Sequence, residues 1–261
     1  MRDLCTLLFE LSNEDRLRIL LELRKTPMKL SHVSEKCNFT VPETARNIAR
    51  LGEASLIVKD VEGCFHLTPY ADEALKLLPS FEFLSKHKKY FKTHTFSKLP
   101  IEYASSIGVL NSSEFTNQIS VVFFNGEKLI REAQEFVWII VSEILTSTLP
   151  LFSEAYKRGL DFKKIMPRNA NVPADILALA RDPIFEQAAR AKKLESRYLD
   201  EVDVTLVLSE REASICFKTC EGNNDYAGFR TTDETAIKWA KSLFLHYWER
   251  ADHRETTENH A

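Results

Sequence analysis

Arg46, Asn47 and Arg50 lie within five residues of one another, and a helix through this segment turns all three outward together. Guanidinium and carboxamide groups are paired hydrogen-bond donors that match the edges of guanine and adenine, and guanidinium also matches phosphate. The chemistry this spacing offers is recognition of duplex DNA, with no bond made or broken. Thr40 and Thr44, near the start of the same helix, are expected to touch the DNA backbone. Lys59 and His66 follow in a short hairpin and complete the set.

The local sequence supplies what is needed to hold these groups. Thr40 with Glu43 three residues on forms a Thr-x-x-Glu capping box, and Pro42 falls in the first turn, where its missing N–H breaks no bond. Thr44, Ile48 and Leu51 recur at spacings of four and three and form the apolar back of the helix, facing Leu30 and Val33 of the helix before it. Leu56-Ile57-Val58 reads as a strand, Asp60–Gly63 as a turn, and Phe65 and Leu67 as the return strand. Helix, turn, helix and wing occur in order over residues 28–70. The rival to DNA is a protein partner on the same surface.

Composition bounds the rest. The 261 residues suffice for two domains, and 44% of them are apolar, so a sizeable core can form. No apolar run reaches the length of a membrane span, and the first residues lack the pattern of a secretion signal. Five cysteines, odd in number and without framework spacing, suggest reduced thiols in a cytoplasm. The net charge is −3, yet residues 1–92 carry 15 Lys/Arg against 13 Asp/Glu. The basic bias of the N-terminal part fits a reader joined to an acidic partner domain.

Elsewhere the sequence excludes more than it offers. It contains no Gly-rich phosphate loop, no His-Glu-x-x-His and no Gly-x-Ser-x-Gly, so no enzyme activity and no cofactor is expected. Cys216 and Cys220, four apart on a strand, would sit about 13 Å apart, too far to share an ion; no metal site is assigned, and a metal- or thiol-responsive regulator remains an alternative. A small-molecule effector would bind beyond the strand ends of the C-terminal half, where Trp138, Ser142, Glu143, Arg168 and Asn169 are the candidates.

Periodicity predicts helices over 2–11, 13–25 (capped by Ser12), 29–37 and 41–54, then one from Thr68 to Leu78 suited to dimerisation and stopped by Pro79-Ser80. Residues 81–99, rich in aromatic and basic residues, read as a solvated helical linker. A helix at 127–135, strands at 136–141, 160–166, 202–208 and 213–218, helices at 149–158 and 174–193 and a final helix from 232 imply a mixed α/β domain. The division is a DNA-binding domain at 1–79, a linker or dimerisation segment at 80–125, an effector-sensing or dimerisation domain at 126–250 and a polar tail at 251–261. The fold class is α+β.

Two stretches carry a resemblance. His87-Lys88-Lys89-Tyr90-Phe91-Lys92-Thr93-His94 with Leu99-Pro100, and the run Thr232–Phe244 with its Trp239 and Leu243-Phe244, make the whole chain resemble archaeal ArsR-like winged-helix regulators that carry the methanogenesis- and filament-regulator middle domain. That resemblance implies a DNA-binding transcription regulator with a C-terminal sensor or dimerisation domain; a homodimer on double-stranded DNA is expected because two winged helices on a twofold axis read two half-sites. Residues 136–166 also look like half of a phospholipase-D-like fold. The catalytic pattern of that fold, His-x-Lys-x4-Asp, is missing: His87 and Lys89 are followed by His94 where Asp is required, so the half is expected to be catalytically empty. Ser55 and Ala71 stand where the resemblance leads one to expect glycine.

Overall fold

The structure is a computed structural model that describes residues 1–143, 148–170 and 183–252. The chain divides into two units, Met1–Leu78 and Pro79–Ala261.

The first unit contains α1 (Arg2–Leu11), α2 (Glu14–Lys25), α3 (Leu30–Cys37), α4 (Val41–Glu53), the strands β1 (Ile57–Lys59) and β2 (Phe65–Leu67), and the first half of α5 (Pro69–Lys86). Asn13, not Ser12, caps α2: its side chain accepts from the Arg16 amide, while Ser12 closes α1. Ile19, Leu20, Val33, Ile48, Leu51, Leu56 and Leu75 fill the core. Asn38, in the left-handed region at φ 56°, makes the sharp turn between α3 and α4. Short polar side chains tolerate that region because they bond locally to the backbone.

The end of α4 shows how a departure from glycine is accommodated. Ser55 is left-handed at φ 59°. Its amide donates to Gly52 O and the Leu56 amide donates to Leu51 O, the paired bonds of a Schellman turn. The turn forms without glycine because Leu51 and Leu56, both fully buried, anchor it. A Cβ at positive φ still costs energy, so Ser55→Gly is expected to stabilise the protein by about 1 kcal/mol. Urea unfolding checks this, and an unchanged or lower midpoint would contradict it. Ala71 sits fully buried in α5, where a helix has no need of glycine.

The helix α5 does not stop at Pro79 but runs to Lys86. Proline keeps helical φ and loses one hydrogen bond, and neighbouring contacts hold the helix together beyond it. Ser80 Oγ donates to Ser105 O, Lys86 Nζ to Asn111 O, and Asn111 Nδ2 to Pro79 O. Gly108 lies so close that an added Cβ would stand 2.3 Å from the Pro79 carbonyl carbon.

The second unit has an eight-stranded sheet among its described residues. Its strands are β3 (His94–Thr95), β4 (Glu114–Thr116), β5 (Phe136–Ile140), β6 (Asp161–Pro167), β7 (Leu194–Leu199), β8 (Val204–Leu208), β9 (Ala213–Thr219) and β10 (Gly228–Thr231). The order is β4-β10-β9-β8-β5-β6-β7, with β3 beside the end of β9. β5, β6 and β7 are parallel and the other pairs antiparallel. The helices are α6 (Ile101–Ser105), α7 (Ile119–Glu132), α8 (Leu149–Lys157), α9 (Pro183–Arg190) and α10 (Glu234–Arg250). One face packs on α10 through Trp138, Ile140, Leu206, Leu243 and Phe244; the other packs on α7 and α8 through Val137, Ile139, Phe152 and Phe162. Burial on both faces is why β5 reads as an unbroken apolar run.

Two expectations change here, and one strand is unforeseen. Residues 80–125 are not a linker: Phe83, Tyr90, Leu99, Ile107 and Leu110 are core residues of the second unit. The tail does not begin at 251: Ala251 is buried and Asp252 exchanges both main-chain bonds with Tyr198, while 253–261 lie outside the described residues. Leu194–Leu199, after the helix expected at 174–193, is the strand β7, and the first part of that helix falls largely outside the described residues.

The supposed linker contributes an aromatic cluster. Phe83, Tyr90 and Phe115 surround Phe229 at centroid distances of 4.9 to 5.4 Å. His87 is buried against Phe83 and Phe229, and its Nε2 has no hydrogen-bond partner. Burial, then the charge on Lys86, pushes its ionisation below the ordinary histidine range. An unfolded chain therefore takes up a proton here that the folded chain resists. The resulting stability is present above the ordinary pKa and declines as pH falls below about 6.5. His87→Leu removes both the orphaned nitrogen and the titration. It is expected to gain about 1 kcal/mol at pH 7 and to flatten the loss between pH 7 and 5, measured by urea unfolding at each pH. An unchanged pH slope would contradict this role for His87.

Candidate functional site

The candidate recognition surface in the first unit is built from α4. The capping box is present in both directions: the Glu43 amide donates to Thr40 Oγ1 and the Thr40 amide to Glu43 Oε2, each at 3.4 Å. The bonds occupy the Thr40 hydroxyl and the Glu43 carboxylate, so both define the helix start. The side-chain hydroxyl of Thr44 donates to Thr40 O, and the residue is fully buried with Ile48 and Leu51. Thr44 therefore supports the helix from inside and cannot reach DNA, contrary to the expectation for it. Its position on the apolar back already signalled that role.

Arg46 is exposed and Asn47 half-buried on the opposite side. No ion pair involves Arg46 among the described residues. Arg50 differs, since its Nη2 lies 2.8 Å from Glu10 Oε1 and its guanidinium lies 5.4 Å from the Phe9 ring centre. The Glu10 bond and charge hold its ionisation above the usual arginine range. Glu10 Oε2 also takes Arg16 Nε at 2.7 Å, and both of these side chains are buried. Arg50 thus ties α4 to α1 and is not a free reader of bases. Sequence reasoning missed Glu10 because Arg50, one of its two partners, is 40 residues away.

In the β1–β2 hairpin, Ile57 pairs with Leu67 and Lys59 with Phe65 across an antiparallel ladder. Asp60 Oδ1 accepts from the Glu62 and Cys64 amides, and Asp60 Oδ2 lies 2.5 Å from His66 Nε2. The His66 bond first, and the Cys64 amide second, hold the Asp60 carboxyl below the usual carboxylate range. His66 therefore braces the turn. Lys59 is exposed, with Nζ 5.6 Å from the Phe65 ring centre, and remains available to phosphate.

In the second unit a polar groove of about 630 Å³ lies beyond the ends of β5, β6 and β7. Ser142, Glu143 and Asn169 line it, as does the Asp200–Asp203 stretch. The other two candidates do not. Trp138 points into the core, stacked on Phe244 at 5.0 Å with Nε1 donating to Asp161 Oδ2, because even positions of β5 face α10. Arg168 is committed to Asp200 at 2.9 Å and to Asp252. The thiols do not converge: Cys216 is buried, which pushes its pKa up to about 12, and Cys220 is exposed. Among the described residues no three His, Cys, Asp or Glu side chains are placed to hold a metal.

The second unit is a mixed α/β domain. Residues 126–250 match the family described as the middle domain of the methanogenesis regulatory protein FilR1. No curated protein sequence matches the chain. Among solved structures, it is similar to TrmBL2, described as an archaeal chromatin protein with a novel mode of DNA binding. Identity is 15%, coverage 93% of this chain and 94% of that one, and the TM-score 0.43. It is also similar to Nuc of Salmonella typhimurium, a phospholipase D family member. There identity is 9%, coverage 51% of this chain and 91% of that one, and the TM-score 0.39. Likenesses this loose carry no argument about function. No helix among the described residues is long and apolar enough to cross a membrane.

Proposed function

We propose that the protein is a homodimeric, sequence-specific transcription regulator that binds double-stranded DNA through an ArsR-like winged helix. In this reading it acts in the cytoplasm, and its second unit, a catalytically empty phospholipase-D-like half, senses a small molecule. The observation that carries the reading is α4. Its back is buried on the core, its start is fixed by the capping box, and Arg46 and Asn47 point outward near a wing that presents Lys59. A helix N-terminus offered with such donors suits the major groove.

Dimerisation is supported by apolar side chains that the monomer leaves uncovered. Leu4, Leu8 and Phe9 on α1 and Tyr70 and Leu77 on α5 are all exposed. Unburied apolar patches of this kind mark interfaces. A winged-helix protein-interaction module is the second reading, favoured by the wing itself, whose Val58 and Val61 are exposed.

Fluorescence anisotropy on a labelled duplex from upstream of the gene, beside a scrambled duplex, separates the two. A DNA reader binds the upstream duplex preferentially, with affinity that falls steeply as salt rises. Equal weak binding to both duplexes, insensitive to salt, would sink the DNA reading in favour of a protein partner.

A further inference from the structure

A second cavity, of about 100 Å³, lies on the other face of the sheet, beneath α7. Ile130, Ile139, Phe152 and Val207 form its apolar walls, and Glu143 stands at its rim as well as at that of the polar groove. Two features are unusual for a void left by loose packing. Gly126 stands inside α7 and lines the cavity, yet an added Cβ would meet nothing within 4 Å. Glycine within a helix costs stability, and no neighbour requires it here. Tyr226 is held at φ 62°, a conformation that a bulky residue rarely adopts. Asn224 Oδ1 accepts its amide and Cys216 Sγ donates to its carbonyl, fixing that conformation. The ring is thereby placed 5.1 Å from Phe123, and its hydroxyl donates to Glu143. Backbone strain that the surroundings over-determine concentrates at ligand sites.

We propose that this cavity binds a small amine, with a branched or ring hydrocarbon body in the pocket beside Gly126 and the ammonium group on Glu143. The size limits the body to about four carbon atoms, since a cavity of roughly 150 Å³ accepts the six of benzene. The head group follows from the rim, which offers the carboxylates Glu143 and Glu127 and would repel a carboxylate. The assignment rests on the sensor reading above and deepens it by naming a ligand class.

The test uses the full chain and isoamylamine, with isovalerate and isoamyl alcohol as controls. Isoamylamine is expected to shift the amide resonances of residues 122–130, 139–141, 205–207 and 214–216 and to raise the unfolding midpoint by roughly 2–4 °C at saturation. Isovalerate should do neither. Gly126→Leu should fill the space, raise the midpoint by itself and abolish the shifts. Glu143→Gln, at an exposed position, should bring the amine down to the affinity of the alcohol. Absence of shifts in the unmodified protein, or equal shifts in Gly126→Leu, would overturn the site. Equal binding of isovalerate would overturn the head-group assignment. DNA anisotropy with and without isoamylamine is read separately: binding of the amine with no change in DNA affinity would leave the cavity standing and remove the sensor reading.

Discussion

Glu10→Ala is expected to lower the stability of the first unit by about 3–5 kcal/mol, the cost of breaking a buried ion pair by removing one partner. The Glu10 and Arg16 side chains are 6% and 8% exposed, and their charged atoms are 2.7 Å apart. Without the Glu10 carboxylate, the Arg16 guanidinium stays buried with only the main-chain carbonyls of residues 9 and 10 to accept from it, at 2.9 and 3.2 Å. Backbone carbonyls offset part of a positive charge but do not neutralise it. Arg50, the second partner, is half exposed and can turn to water, so Arg50→Ala should disturb stability far less. The asymmetry is the diagnostic. Urea unfolding of Glu10→Ala, Arg50→Ala and the double variant measures it, and a Glu10→Ala midpoint near that of the unmodified protein would refute the buried-pair assignment. A loss of the expected size removes much of an ordinary domain's stability.

The same carboxylate shows where the sequence stops being readable. The α4 helix was legible because its signals are local: a cap at Thr40, an acid at Glu43, and apolar residues spaced four and three apart. The hairpin was legible from Asp60–Gly63 for the same reason. The fate of Arg50 was not, because it depends on α1, and no pattern within α4 reports a carboxylate 40 residues earlier. Residues 81–99 misled in the opposite way. Their lysines and histidines read as solvated, yet Tyr90 is buried, with its hydroxyl donating to Ala227 O and accepting from the Phe217 amide, both more than 120 residues away. The strands β4 and β10 are short, and partners chosen across the sheet stabilise them more than their own composition does. At the groove, rules about strand ends point to Ser142, Glu143 and Asn169, which line it. Trp138 failed because alternation on β5 turns it toward α10.

Arg46→Ala is expected to cost about 1–3 kcal/mol in binding to the specific duplex, roughly a 5- to 150-fold loss, and to relax specificity at one base position. Arg50→Ala should cost much less, because its guanidinium is already held by Glu10 and Phe9. To read a base it would first have to give up a charged partner. Lys59→Ala should weaken specific and scrambled duplexes alike and reduce the slope of log affinity against log salt by about one, the signature of one lost phosphate contact. Anisotropy titrations of the three variants at several salt concentrations separate these roles. The discriminating comparison is between the two arginines, which sit one helical turn apart and differ chiefly in whether Glu10 reaches them. A larger loss for Arg50 than for Arg46 would mean that DNA pulls Arg50 off Glu10. Binding would then break the α1–α4 tie, and the stability that Glu10 supplies to the free protein would oppose DNA recognition.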